Sequence, residues 1–432
     1  MTNTSEKSYS KLQKYINILV LGAVGGTAFF LPYIRYFLFD GQLVATGITA
    51  TQSGLLLTFH TIINVILYIP GGALADRIEP KKAIAISLGG TALLTFIYAL
   101  TLNYTVSIMI WIALSFTTTF VFWTSLMKTI RIIGTEKEQG LMYGLYYGAQ
   151  GLFATIVRTS AMAAYNTAYT GHTGTDAEIT SGFVRAVITG GVFTVIVAVA
   201  IMFLLRVDYS SAKAGDASSF NLRDCGKLLT MPVVWIAALI GFIGYGFFTS
   251  VSYFTPYLTA VRGLSAVDTG FFGIVRSYGT LMLAPVGGLL ADKVFKSASR
   301  WIAVAMLILA ALFAGALIMP SGVSQGVVSV YTLIPGIVAM MMYSQVFVTI
   351  SEAKISRTMT ATVIGIMSII AFLPDSIYHP LFGSWIDNFA GDGYVRIFTF
   401  LIISGVVGAV LAFIFLKINK RNLMNRSKSN AE

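Results

Sequence analysis

Six ionisable side chains stand inside long apolar stretches of this chain: Arg35, His60, Arg158, Arg276, Asp375 and His379. A charge held at bilayer depth costs about 3 kcal/mol or more, so each marks a site or a structural pair. A guanidinium is a permanent cation whose planar fork matches a carboxylate, a sulfonate or a phosphate. Arg276 is the sharpest candidate for holding a substrate anion, and the alternative is a lasting salt bridge to a carboxylate such as Asp375. Few acids lie at that depth, so the three arginines cannot all be paired within the chain. Arg35 and Arg158 lie nearer the ends of their stretches, where long side chains snorkel outward. Arg35 reads as a substrate ligand or an interface anchor, and Arg158 as a gating group or a partner to another helix. Imidazole changes charge near neutral pH, which suits proton coupling. His60 is therefore a coupling or substrate-binding group, or else a hydrogen-bonded packing residue. Asp375 lies between Pro374 and Pro380 and close to His379. Prolines free backbone carbonyls beside a cavity, which makes Asp375 a second coupling candidate.

No other chemistry is expected. The glycines fall on helix faces, not in a phosphate-binding loop, and no nucleophile–base set is present. The single cysteine, Cys225, allows no disulfide and no thiolate metal site within the chain. The histidines His60, His172 and His379 are scattered. The chain reads as a non-enzyme with no catalytic residue, no metal and no cofactor.

The elements that must position these groups are membrane helices. The sequence is 56% hydrophobic and 11% charged, against about 25% charged in a soluble domain. Twelve apolar segments are long enough to cross a bilayer: 15–38, 50–75, 82–102, 105–127, 138–164, 182–206, 231–257, 266–291, 299–319, 326–350, 359–383 and 394–417. They lack the alternation of a β-barrel. The first follows Lys7, Lys11 and Lys14, ends in aromatics and Arg35, and has no small-residue cleavage site, so it reads as a retained helix.

The net charge of +11 sits in short clusters between segments, not on one basic face, which argues for topology setting and against nucleic acid. Most of the 29 Lys and Arg residues fall in the two tails and in every second connection. Both termini are thus expected in the cytoplasm, in a multi-pass protein of the cytoplasmic (inner) membrane. The longest polar connection divides the chain into a six-helix bundle (1–206), a linker (207–230) and a second bundle (231–432). Gly140, Gly144 and Gly148 line one helix face and read as close helix packing.

One phrase occurs twice. "PGGALADRIEPKK" begins at Pro70 and "PVGGLLADKVFK" at Pro285, with Asp76 and Asp292 half the 432-residue chain apart. His60 and Arg276 stand at the same separation. The chain is two copies of one design, a plan known in transporters that bind substrate at the midplane between halves.

At these residues the sequence resembles the major facilitator superfamily. Gly72, Asp76 and Arg77 match that family's Gly-x-x-x-Asp-Arg loop, and Gly288, Asp292 and Lys293 match it again, with a trace in "GSWID", Gly383 to Asp387. The family's second glycine is missing, and Lys81 and Lys82 arrive one residue late. The resemblance implies twelve helices in two pseudo-symmetric bundles, with the matched Gly, Asp and basic residues forming a latch that steadies one conformation. It also implies that helices 2, 5, 8 and 11 meet between the halves. Helices 4, 7 and 10 would line the cavity, which nominates Trp123, Tyr245, Tyr343 and Gln345 as substrate contacts. Tyr253 lies in the same set, and packing is the plain alternative for all of these.

Tyr33-Ile-Arg35-Tyr36 and "GGALADR" resemble the organophosphate:phosphate antiporter branch. That branch's anion-binding helix-1 arginine maps to Arg35, while its helix-7 partner has no counterpart in "GFIGYGFFTSVSYFTPYL". The expected function is a monomeric secondary transporter of a small anion by rocker-switch alternating access, coupled to protons or to a counter-substrate. The alternatives are a proton-coupled transporter of a neutral sugar or exported drug, and a transporter-like membrane sensor.

Overall fold

Apolar segments in lipid must satisfy every backbone polar group internally, and helices do so. The computed structural model describes residues 11–75, 77–134, 138–168, 174–207, 209, 230–352, 363 and 367–429, and among these there is no strand. The N-terminal half contains α1 (Lys11–Ala28), α2 (Phe39–Thr46), α3 (Ala50–Ala75), α4 (Pro80–Thr101), α5 (Tyr104–Ser115), α6 (Phe122–Ile133), α7 (Gln139–Asn166) and α8 (Asp176–Leu204). Local chemistry sets the ends. Gly47, at φ 64°, stops α2. Pro80 opens α4. Asn103 caps α5 by accepting from the Val106 amide, and Thr175 and Glu178 form a capping box on α8.

The C-terminal half contains α9 (Pro232–Ser250), α10 (Phe254–Ala260), α11 (Ala266–Ser277), α12 (Ala284–Leu289), α13 (Ala298–Ile318), α14 (Gln325–Tyr331), α15 (Leu333–Tyr343), α16 (Val348–Glu352), α17 (Pro374–Phe389) and α18 (Gly391–Ser429). Several of these are pieces of one span joined by 3₁₀ or π turns. Among the described residues nine spans are long and apolar enough to cross a membrane. The expected segments 15–38 and 138–164 correspond to α1 and α7, and 359–383 runs partly through residues outside those described into α17. The first two carry polar side chains such as Asn17, Gln150 and Arg158, which lowers their apolar signal.

One hydrophobic cluster draws on residues between Val233 and Phe415. Two others draw on residues between Phe30 and Val187 and between Ile18 and Leu205, the first joined by Ile274 and Val267 from the other half. A small cluster of Tyr36, Leu57, Ala154 and Tyr278 lies between them. Large apolar side chains such as Ile86, Leu100 and Ile318 are exposed on the outside, the surface that lipid solvates.

Gly144 and Gly148 do not pack as expected, and the surroundings of Gly140 lie outside what is described. A Cβ at Gly144 or Gly148 would meet nothing within 4 Å. Other glycines carry the close approaches: a Cβ at Gly54 would collide with the backbone of His379 and Pro380, and one at Gly383 with the backbone of Ala50 and Thr51. Thus α3 and α17 touch backbone to backbone at the far end of the bundle, opposite the end where α1 starts.

Candidate functional site

Helices 1 and 7 are interrupted at matching depths. After α1 the chain turns through Phe29–Tyr33 into a 3₁₀ turn at Ile34–Tyr36, and α9 passes into α10 through a 3₁₀ turn at Val251–Tyr253. Interrupted helices bring irregular backbone and polar side chains to a transporter's midplane. Helix α17 faces both breaks. Its Asp375 and His379, at i and i+4, lie on one face, as do Thr249 and Tyr253 on helix 7.

These faces build one buried network. The Asp375 Oδ2 accepts from the hydroxyls of Tyr245 at 2.6 Å and Tyr33 at 3.1 Å. Its Oδ1 accepts from Thr249 at 2.8 Å and stands 3.4 Å from His379 Nε2. Thr249 Oγ1 also lies 2.9 Å from that Nε2 and bonds the Tyr36 hydroxyl. The Tyr253 hydroxyl lies 3.0 Å from His379 Nδ1 and donates to the His379 carbonyl at 3.2 Å. Arg35 Nη2 donates to Tyr253 at 3.2 Å, while Arg35 Nη1 is buried without a hydrogen-bond partner. The network joins helix 1 of one half to helices 7 and 11 of the other.

Arg276 lies just behind it. The side chain is fully buried and donates to Thr255 at 2.6 Å and Thr332 at 2.9 Å. Thr255 in turn donates to the Tyr36 carbonyl at 3.1 Å, so Arg276 is one hydroxyl away from helix 1. Its Nε has no partner. Asp375 is bonded elsewhere, and the permanent Arg276–Asp375 salt bridge does not form.

Arg158 holds the break in helix 1, donating to the carbonyls of Gly26 at 3.0 Å and Phe29 at 2.9 Å. Its guanidinium stacks 3.7 Å from the ring centroid of Tyr278 in the other half. It therefore points inward and does not snorkel. His60 Nδ1 lies 3.2 Å from the Trp111 carbonyl and 3.1 Å from Ser115 Oγ, and its buried Nε2 has no partner. The His60 ring meets that of Tyr33 edge-on, with centroids 6.5 Å apart.

The aromatic candidates divide. Tyr245 is in the network. Tyr343 stacks on Phe248 with centroids 4.8 Å apart at 17°. Trp123 packs edge-on against Phe29 at 6.2 Å. Gln345 donates to Ser344 at 3.0 Å and lies beside Gly288. In the repeated phrase, Arg77, Asp292 and Lys293 are exposed, Gly72 lies in α3, and Asp76 lies outside the described residues.

Sequence reasoning passed over Tyr33, Tyr36 and Thr249 as site residues. Hydroxyls are common in membrane helices, and only their spacing carried a signal: Tyr33 and Tyr36 flank Arg35, and Thr249 stands one turn before Tyr253.

The third trace of the phrase, Gly383 to Asp387, forms a latch in this state. Asp387 accepts from the amides of Ala50 at 2.9 Å and Thr51 at 2.8 Å, and from the Thr51 hydroxyl at 2.5 Å. It caps α3 from the opposite half. Burial pushes the Asp387 carboxyl up, but hydrogen bonds from the Thr51 side chain and from the Thr51 and Ala50 amides outweigh this and hold it below its ordinary 3.8. A group lowered in the closed state favours that state fully above 3.8, and the benefit is lost as pH falls through the lower value. Acidification through that range is therefore expected to weaken the latch. In Asp387→Ala, loss of the cap costs about 1 kcal/mol, a population shift of about fivefold. Distances between spin labels at Val44 and Asn388, with Cys225 replaced by Ser, are expected to lengthen accordingly. Unchanged distances refute the latch.

Two helical cores that meet around a buried polar seam, in a multi-pass bundle clothed in apolar side chains, define a membrane transport fold. The chain belongs to the Major Facilitator Superfamily, whose family model matches residues 16–377. It is 26% identical over 422 residues to the inner membrane protein YqcE of Escherichia coli K12, covering 95% of this chain and 96% of that one. It is 23% identical to YihN of the same organism, covering 94% and 96%. Among solved structures it resembles a bacterial homolog of the human lysosomal transporter Spinster in an inward-facing, unoccupied conformation (TM-score 0.72, 17% identity, covering 96% of this chain and 99% of that one). The nucleoside transporter NupG is similar at TM-score 0.67 and 15% identity, covering 94% and 99%. The structural likenesses establish the fold, and the family makes the chain a membrane transport protein.

Proposed function

We propose that this protein is a secondary transporter that moves a small anionic metabolite across the cytoplasmic membrane, with both termini in the cytoplasm. It works as a monomer. Its halves, 1–206 and 231–432, rock about the seam and are joined by the linker 207–230. One observation carries the reading. Arg35 and Arg276 are buried, and among the described residues neither has a carboxylate within 4 Å. Their polar partners are neutral hydroxyls. A buried cation is costly until an anion accompanies it. Rocking that opens the far end parts Tyr253 and Thr255 from helix 1, which frees the Arg35 guanidinium and uncovers Arg276 for a substrate carboxylate, sulfonate or phosphate.

His60, with its free Nε2, adds a polar contact, and Trp123, Tyr245, Tyr343 and Gln345 form the wall. Asp375 and His379 take the coupling proton. Arg158 and the glycines, acids and bases of the repeated phrase gate the two ends.

A second reading keeps the proton site but makes the substrate neutral. The stacked Tyr343 and Phe248 favour it, since a flat ring would extend that stack, and a nucleoside transporter shares the fold. Uptake into proteoliposomes under an imposed pH gradient separates the two. Labelled organic anions are expected to accumulate and neutral sugars and nucleosides not to. Accumulation of a neutral compound with no anion uptake replaces the first reading by the second.

A further inference from the structure

The Tyr253 hydroxyl touches both an arginine and a histidine, and its single proton limits what it can do. With that proton on the His379 carbonyl, the oxygen is an acceptor for Arg35 Nη2 at 3.2 Å and for His379 Nδ1–H at 3.0 Å. The Tyr253 ring also stacks on the imidazole, with centroids 5.6 Å apart at 21°. Both sides are buried, and Arg35 Nη1 has no partner. On the far side of the imidazole, Nε2 faces Asp375 Oδ1 and Thr249 Oγ1.

We propose that Tyr253 is the positioning residue that makes proton transfer between Asp375 and His379 depend on whether Arg35 holds an anion. The proposal rests on the anion-transport reading. With no anion, the guanidinium sits on the Tyr253 oxygen, and its charge opposes a second charge on the adjacent imidazole. An anion arriving at Nη1 neutralises that charge and draws the fork off Tyr253. The oxygen then accepts from Nδ1–H alone. The proton leaves Asp375 Oδ1 for His379 Nε2, breaking an O–H bond and forming an N–H bond, and the product is a carboxylate beside an imidazolium. The reverse transfer follows release of the anion.

Four titratable or charged groups face His379: Arg35 and Tyr36 from helix 1, Tyr253 from helix 7, and Asp375 from its own helix. Helix α3 meets the His379 backbone at Gly54, and its His60 lies on the Asp375 side of the seam.

The test needs no substrate, so its failure and that of the anion reading are distinguishable. The full chain, labelled with ¹⁵N-histidine in nanodiscs, has three imidazoles, and a His379→Gln difference spectrum assigns the one at issue. The ¹⁵N shifts report which nitrogen carries the proton as pH is varied. Arg35→Gln is expected to move the His379 midpoint by about one pH unit when Tyr253 is present, and by less than half as much in Tyr253→Phe, which keeps the ring. Equal shifts in the two backgrounds overturn the proposal, because Arg35 then acts through space alone. Arg35→Lys, tested with Tyr253 intact, guards against a misfolded Tyr253→Phe. It keeps the charge but loses the fork, and is expected to shift the midpoint by about half as far as Gln. No shift with Lys also overturns the proposal.

Discussion

Asparagine at position 375 is expected to abolish proton-driven accumulation while leaving exchange of substrate across the membrane intact. Asp375 is the acid of the buried seam that accepts from Tyr33, Tyr245 and Thr249 and lies against His379. Asparagine keeps the size and one acceptor oxygen, so the bundle is expected to fold. It cannot release a proton, so the Asp375–His379 pair can no longer carry one between the two faces. A pH difference of one unit is worth about 1.4 kcal/mol per coupled proton, which supports about tenfold accumulation. In proteoliposomes that ratio is expected to fall to one, with counterflow of the same anion persisting. Tenfold accumulation by Asp375→Asn removes Asp375 from the coupling step.

Leucine at position 54 is expected to arrest the cycle with the far end open. Any side chain there meets the His379 carbonyl and the Pro380 nitrogen, and backbone cannot move aside as a side chain would. Overpacking of this kind costs about 3 kcal/mol, a shift of roughly 100-fold against the closed state. The predicted result is loss of transport in a folded protein whose labels at Val44 and Asn388 stay far apart. Gly148→Leu is the control, because a Cβ there meets nothing within 4 Å, and it is expected to transport normally. Wild-type distances and transport in Gly54→Leu contradict the closure mechanism.

Much of the architecture was legible because lipid imposes simple rules. Length and hydropathy marked the nine spans found among the described residues, and the duplicated phrase around Asp76 and Asp292 pointed to the family. The six intramembrane ionisable residues were legible as outliers, and the structure brings Arg35, Asp375 and His379 into one network. Pairing across helices was not legible. Nothing local to Arg276 says that Thr255 and Thr332 hold it, and nothing near Arg158 names the carbonyls of Gly26 and Phe29. The breaks in helices 1 and 7 were marked only by Pro32 within the first and Pro256 just after the second; tertiary bonds such as Arg158 to Phe29 satisfy the freed carbonyls. The glycine face on α7 misled for a related reason. Small residues permit close packing, but a neighbour must be there to use it.

The central claim is that an anion is bound by the buried arginines of the seam. Thermal stabilisation of the purified protein by anionic metabolites, neutral sugars and lipophilic cations, with Arg276→Ala alongside, tests it most directly. A ligand that binds only the folded state stabilises it by about 2.7 kcal/mol at a hundred times its Kd. The account predicts a raised melting temperature with one class of anion in the wild type and none with that anion in Arg276→Ala. Stabilisation by neutral or cationic compounds, equal in both proteins, contradicts it and leaves Arg276 a structural residue behind the far-end seal.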